Sequence, residues 1–423
     1  MKILVVGSGG REHAICSAFA KSKRVERVYC ANGNAGIGEV AELVLIRPDD
    51  IASLVDFASA NSIGLTFVGG ETSLALGIVD AFEAKGLRII GVSKAAARLE
   101  ASKAFAKDFM LRHNIPTARF NVVRSKPAAI DILRSGTYGD QSTPVVVKAD
   151  GLAAGKGVVV ATNRSEALAA IDELDNLAGA DAASTIVLEE CLFGREVSLI
   201  LFCDGGNFEL MPPTRDHKRI GEGDTGANTG GMGTITDATL LSDDAMADII
   251  RTIIIPTLEG CRAEGFPFRG IMFLGLMMTQ DGPKLLEYNV RFGDPETQAI
   301  LIRLETDLVD ICDAMLTGRL DEIEIRWLPG NSACVILASD GYPSKPRVGD
   351  VITGLDHLPA TPDLTVFHSG TARNEVGKLI TSGGRVLGIT ATADSLEGAL
   401  AKAYHAANRI SWPGMQYRRD IGK

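Results

Sequence analysis

Short apolar runs alternate with amphipathic stretches over the first hundred residues. Ile3–Val6 reads as a strand, Arg11–Ala20 as a helix, Val25–Cys30 as a strand and Ile51–Ala60 as a helix. Leu65–Val68 follows as a strand and Leu74–Ala84 as a helix, and Arg88–Ile90 closes the series. This alternation predicts a parallel sheet with helices on both faces. Ser102 is placed to cap a helix reaching about His113, which Asn114 and Pro116 stop. From about 119 to 188 the pattern is strand-rich, with a Gly-rich insert and a helix at Ser165–Leu177. Strands, a long Gly-rich loop and two helices fill the span from about 190 to 325. After a break at Trp327–Ser332, apolar runs at Ala333–Ala338 and Val386–Ala391 and a helix at Asp394–Asn408 predict a small α+β domain.

One segment carries more chemistry than the rest. Gly270–Met278, the turn Gln280-Asp281-Gly282-Pro283 and the stretch ending in Glu287-Tyr288-Asn289 predict a β-hairpin. Side chains two apart in a strand share a face, so Glu287 and Asn289 point the same way. A carboxylate and an amide oxygen suit Mg²⁺, which takes oxygen ligands and completes its shell with phosphates and water. Arg291 continues that face with a fork suited to carboxylate or phosphate.

Composition narrows the class. The chain has 423 residues, 46% hydrophobic and 23% charged, with a formal net charge of −10. That length allows two to four domains, and the acidic balance argues against broad nucleic-acid binding. No apolar run reaches membrane-spanning length, and Lys2–Val6 is too short for a signal core. Seven scattered cysteines without C-x-x-C spacing suggest neither zinc nor a disulfide framework, so a cytoplasmic, reduced protein is expected. No exposed apolar helix face stands out, and a monomer or weak dimer is expected.

Four further motifs stand upstream. Val6-Gly7-Ser8-Gly9-Gly10-Arg11-Glu12-His13 is a Gly-rich strand-to-helix turn of the kind that binds anions. Glu12 occupies the third glycine position of a dinucleotide fingerprint, and Ala31-Asn32 ends the second strand where an acid is needed. A single sugar phosphate therefore fits better than NAD. In Pro144–Val158, two strands flank a small-residue loop whose amides can cover a polyphosphate, and Lys148 ends an apolar strand. Lys107, on the capped helix, is either a second phosphate cation or a solvated charge. In Ile186–Ser198, an apolar strand leads into an extended linker suited to an adenine edge, with Glu196 opening the next strand. Thr214–Arg219 and Asp224–Gly233 describe a mobile, glycine-dense loop able to close over a small substrate.

Taken in order and ending in Glu287–Gln298, these stretches resemble the phosphoribosylamine–glycine ligase (glycinamide ribonucleotide synthetase) family of the ATP-grasp superfamily. Asn32–Gly36, Phe367–Thr371 and Ser382–Leu387 extend the resemblance over essentially the whole chain. It implies an α/β multidomain protein. The divisions expected are an N-terminal Rossmann-like substrate domain at 1–118, a mobile ATP-grasp flap at 119–190, an ATP-grasp core at 191–325 and a C-terminal α+β cap at 326–423. It implies ligation of glycine to 5-phosphoribosylamine through glycyl phosphate in purine synthesis, with ATP and Mg²⁺ or Mn²⁺. By this resemblance Lys107, Lys148, Gly155, Lys156 and Gly157 hold nucleotide phosphates. Glu189, Glu190 and Leu192 read adenine through the backbone, and Glu196 takes the ribose. Glu287 and Asn289 ligate metal. Gly9, Gly10, Arg11, Glu12, Asn34, Glu71 and Gly293 hold the ribosylamine phosphate. Asp216, Lys218, Arg291 and Asp294 act on glycine, the acyl phosphate and the amine. Thr234–Asp237 departs from the family motif, which carries an aromatic residue and ends in Ser-Pro. An ATP-grasp ligase for another small carboxylate is the nearest alternative. An oxidoreductase and a non-catalytic nucleotide binder fit less well.

Overall fold

A computed structural model describes residues 1–152, 157–359 and 361–423. Near the N-terminus, five strands pair in parallel in the order Glu42–Val44, Arg27–Asn32, Lys2–Gly7, Ile63–Val68, Ile89–Ile90. Helices Gly10–Ala20 and Ile51–Ala60 connect them, the second capped by the Asp50 carboxylate on Ser53 N–H. The helix expected over Leu74–Ala84 is two helices, Glu71–Leu76 and Ile78–Glu83. Gly77 breaks it with φ +90°, a conformation in which a side chain is strained. Ser102 caps Lys103–Arg112 as the sequence predicts, its oxygen 3.0 Å from Phe105 N.

Between 120 and 190 lies a separate antiparallel sheet, in the order Phe120–Val123, Ile186–Glu190, Val145–Ala149, Val158–Ala161. Helices Lys126–Arg134 and Arg164–Ala178 close its own apolar core, which includes Leu133, Val145, Val147, Ile171 and Leu188.

The largest sheet has nine strands and ignores the sequence break at 327–332. Its path runs Gly282–Asn289, Arg269–Thr279, Arg195–Asp204, Thr214–Asp216, Gly233–Thr236, Asn331–Ala338, Arg385–Ala393, Leu364–His368. Phe208–Leu210 pairs with Arg195–Asp204 off this path. The hairpin at one end and the C-terminal strands at the other are therefore one hydrogen-bonded body. Phe292 cements the N-terminal sheet to it, with its ring 5.8 Å from Phe67 and 6.1 Å from Phe202. The expected α/β architecture is observed, with a parallel N-terminal sheet, an antiparallel four-stranded unit and a mixed α+β C-terminal part. No helix among the described residues is long and apolar enough to cross a membrane.

Candidate active site

The hairpin sets the floor of the site. Strand Arg269–Thr279 pairs antiparallel with Gly282–Asn289, and the register shifts between Gly275 and Leu276. Past that irregularity Tyr288 is buried, while Glu287 and Asn289 both face a cavity of about 400 Å³. Gly275 makes room for this, because a Cβ there would lie 3.2 Å from Glu287 Cγ. Burial raises the Glu287 carboxyl, but Lys218, Lys148, Lys103 and Arg291 overcome it and hold it below the usual range. An ionised carboxylate beside the Asn289 amide oxygen is a hard donor set that fits Mg²⁺ or Mn²⁺ sharing phosphate oxygens. Among the described residues no third histidine, cysteine or acid joins them.

On the wall formed by the four-stranded unit and the helix Lys103–Arg112 two lysines converge. Lys148 ends strand Val145–Ala149, and its Nζ is 2.7 Å from Glu189. Lys107 reaches the same carboxylate at 3.0 Å and donates to Thr117 Oγ1 at 2.7 Å. All three charged side chains are buried. Burial pulls Lys107 down to about 8, with Glu189 opposing and Lys148 assisting. Glu189 was expected to act through its backbone, yet its side chain balances the two lysines. Its position in the apolar strand Ile186–Glu190 gave no sign of that pairing. Gly157 lines the same cavity, whereas Gly155 and Lys156 lie outside the described residues.

The linker residues lie farther out. Glu190 is tied to Arg119 through both its N–H and its side chain. Neither it, Leu192 nor Glu196 lines the cavity. Glu196 instead pairs with Lys218 at 3.3 Å, and Lys218 also stands 4.0 Å from Glu287. That proximity was not readable from residues 22 positions apart.

The N-terminal glycine turn differs from its expected open cradle. The buried Glu12 carboxylate accepts Gly9 N–H at 2.6 Å and Arg11 Nε–H at 2.6 Å. Gly7 and Gly69 leave it space, since a Cβ on either would come within 2.6 Å of it. Gly10 is packed instead of open, because a Cβ there would meet Gln298 and Ser369. The Asn34 amide is also committed. It donates to the Ser8 and His368 carbonyls and accepts from Gly36 and Ile37 N–H groups, which uses both donors and both lone pairs. Arg11 and Glu71 reach the cavity. Arg291 links them to the hairpin, pairing with Glu71 at 3.2 Å and with Glu100 at 2.8 Å. Glu100, unremarked in the sequence, also accepts Val290 N–H and so fixes the turn after the strand Gly282–Asn289.

The turn Gly293-Asp294 completes the wall. Asp294 accepts from Gln298 Nε2 at 2.8 Å and faces Arg385 at 3.4 Å. Arg385 comes from the C-terminal strand Arg385–Ala393 and donates to the Gly230 and Asp294 carbonyls. The C-terminal part thus supplies a half-buried cation to the site, a contribution that Ser382–Leu387 carried only as a family motif. Asp216, Lys218 and Gly293 line the same space.

Comparison with known proteins gives the family. The phosphoribosylglycinamide synthetase N domain matches residues 1–100, the ATP-grasp (A) domain 101–297 and the C domain 332–423. The chain belongs to the phosphoribosylglycinamide synthetase family. It is 46% identical to a phosphoribosylamine–glycine ligase of Brucella melitensis, over 100% of this chain and 97% of that one. A crystal structure of phosphoribosylamine–glycine ligase from Thermotoga maritima superposes with TM-score 0.83 at 34% identity, covering 99% of this chain and all of that one. A biotin carboxylase from Campylobacter jejuni shares the fold, with TM-score 0.73 at 16% identity over 98% of this chain and 92% of that one. Membership of this ATP-grasp family implies ATP use. In the family's terms, the three matched regions meet at one cavity.

Proposed function

We propose that this synthetase joins glycine to 5-phosphoribosylamine, giving glycinamide ribonucleotide, ADP and phosphate, in de novo purine synthesis. One observation carries the reading: a single cavity is lined by Arg11 and Glu71, by Lys107, Lys148 and Glu189, and by Glu287, Asn289 and Arg291. Sugar phosphate, nucleotide and carboxylate can therefore meet there.

Seven basic and seven acidic side chains line that space, so their formal charges cancel. A triphosphate entering it brings several negative charges, and a divalent ion beside Glu287 and Asn289 offsets them. When bound, Mg²⁺ or Mn²⁺ withdraws charge from the terminal phosphate. Lys107 and Lys148 take the inner phosphates, and the Gly155–Gly157 loop is assigned to lie over them. The Glu189–Leu192 backbone is assigned to adenine and Glu196 to ribose. Arg291 and Lys218 hold the glycine carboxylate against the γ-phosphate. Its attack forms glycyl phosphate, and the ribosylamine nitrogen then displaces phosphate from the carbonyl carbon. Positioning and fixed positive charge suffice, and no side chain acts as nucleophile. Acyl phosphates hydrolyse, so closure of the 119–190 unit and the 224–233 loop would exclude water. Arg11 and Glu71 hold the ribosylamine beside Asp294, with Gly9, Gly10, Glu12, Asn34 and Gly293 shaping the turns around it. Ser369 Oγ, buried and without a hydrogen-bond partner among the described residues, packs behind the same turn beside Gly10. The same reading takes the enzyme as cytoplasmic and as a monomer or weak dimer, with no nucleic-acid or membrane partner.

The test is ADP release with Mg-ATP and glycine, with and without phosphoribosylamine generated in situ. Release that needs both, and fails with alanine or serine, is expected. Release with a different acid or amine would keep the ATP-dependent chemistry and replace the substrate.

A further inference from the structure

Five of the seven carboxylates lining the cavity have a cation within 4.0 Å. Glu71 and Glu100 have Arg291, Glu189 has Lys107 and Lys148, Glu287 has Lys218, and Asp294 has Arg385. The other two are Asp216 and Glu296, and among the described residues neither has an ion-pair partner. Glu296 is only 4% exposed and faces the cavity, and among the described residues its carboxylate accepts a hydrogen bond only from its own backbone N–H. A buried carboxylate without a partner is costly unless something else supplies the counter-charge.

The local backbone is shaped around these two groups. Asp216 ends strand Thr214–Asp216 opposite Thr234, whose hydroxyl donates to Asp216 Oδ1 at 3.2 Å. Gly231, at φ +110°, passes so close that a Cβ would lie 2.7 Å from Asp216 Oδ1. A Cβ on Gly293 would lie 2.3 Å from Glu296 Oε2. The nearby cations are otherwise occupied: Lys218 by Glu196 and Glu287, Arg291 by Glu71 and Glu100, Arg385 by Asp294 and two carbonyls.

We propose that Asp216 and Glu296 form the seat for the ammonium group of the amino-acid substrate. This rests on the glycine ligase reading above and extends it to a residue, Glu296, that neither the hairpin motif nor the phosphate logic requires. An ammonium has three donors, enough to bridge two carboxylates and satisfy both. Without it, burial raises both carboxyls, and the charge of Glu296 raises Asp216 further. The seat also explains a chemical necessity. Glycyl phosphate carries its own amine, and a free amine would attack an acyl phosphate. Held between two carboxylates the amine stays protonated, so the only nucleophile at the carbonyl is the ribosylamine. The product then leaves with its ammonium intact.

The experiment compares the wild type with Glu296→Gln, Asp216→Asn and Thr234→Val. Steady-state constants are measured for glycine, ATP and ribosylamine, and ADP release is repeated with glycolate, which replaces the ammonium by hydroxyl. The expected result for Glu296→Gln is a glycine KM raised roughly thirty-fold or more, the effect of removing one member of a buried charge contact. The KM for ATP stays within about twofold, and the preference for glycine over glycolate falls in parallel. Thr234→Val, which keeps both carboxylates, gives a smaller shift in the same direction and serves if the acid variants fail to fold. Loss of kcat with glycine KM and glycolate preference unchanged would overturn the seat. Failure of the wild type itself to use glycine would overturn the ligase reading instead, so the two failures are distinguishable.

Discussion

Glu189 shows how much one buried carboxylate can organise. It neutralises Lys107 and Lys148 together, so two cations persist in an interior that would otherwise expel them. The pairing has a consequence for pH. Burial sets Lys107 at about 8, so in the free enzyme it loses its charge as pH rises through that value. The kcat/KM for ATP should therefore fall above about pH 8, because that ratio reports the free enzyme's groups. Lys107→Arg, which stays charged, should carry the plateau to higher pH. An unchanged alkaline limb in that variant would assign the loss to another group. None of this was visible in the sequence, where Lys107 was ambiguous and Glu189 sat in an apolar strand. The deciding contact spans 82 positions and depends on how the four-stranded unit lies against the helix Lys103–Arg112.

Elements were legible where local pattern and tertiary environment agree. The hairpin, the Ser102 cap and the parallel N-terminal strands follow from periodicity and turn chemistry. The Leu74–Ala84 helix does not, because one glycine at positive φ divides a continuous amphipathic pattern. The glycine turn at 7–10 reads as an anion cradle, but Glu12 folds back as an internal anion and occupies Gly9 N–H. The C-terminal strand Arg385–Ala393 carries a less obvious contribution. Arg385 stands just before the apolar run Val386–Ala391, inside the family motif Ser382–Leu387, and its guanidinium binds the Gly230 loop and the Asp294 turn together. Arg385→Ala should lower kcat/KM for glycine and ribosylamine by roughly ten- to hundredfold, the size of one lost hydrogen bond to a charged group. The KM for ATP should change little, because the lysine pair lies on another wall. Equal loss for all three substrates would instead point to general disruption of the fold.

Across the whole molecule, the nine-stranded sheet joins the hairpin carrying Glu287 and Asn289 to the C-terminal strands without interruption. The N-terminal sheet meets that body through Phe292 and through His13, whose Nδ1 accepts the His368 N–H at 2.8 Å. Both imidazoles are driven neutral by burial, His13 to about 3 and His368 to about 4. This contact buries the end of the glycine turn against C-terminal residues, so the wall of the cavity around Arg11 depends on both ends of the chain. The chain carries a formal net charge of −10, while the charges lining the cavity cancel. The central claim is that glycine's carboxylate is activated as an acyl phosphate in that cavity. Its most direct test is turnover of glycine labelled with ¹⁸O in both carboxylate oxygens, followed by mass analysis of the inorganic phosphate. The account predicts one labelled oxygen in the phosphate for each ADP formed, because the bridging oxygen leaves with phosphorus when the amine attacks. Phosphate free of label would show that glycine was never phosphorylated and would contradict the mechanism.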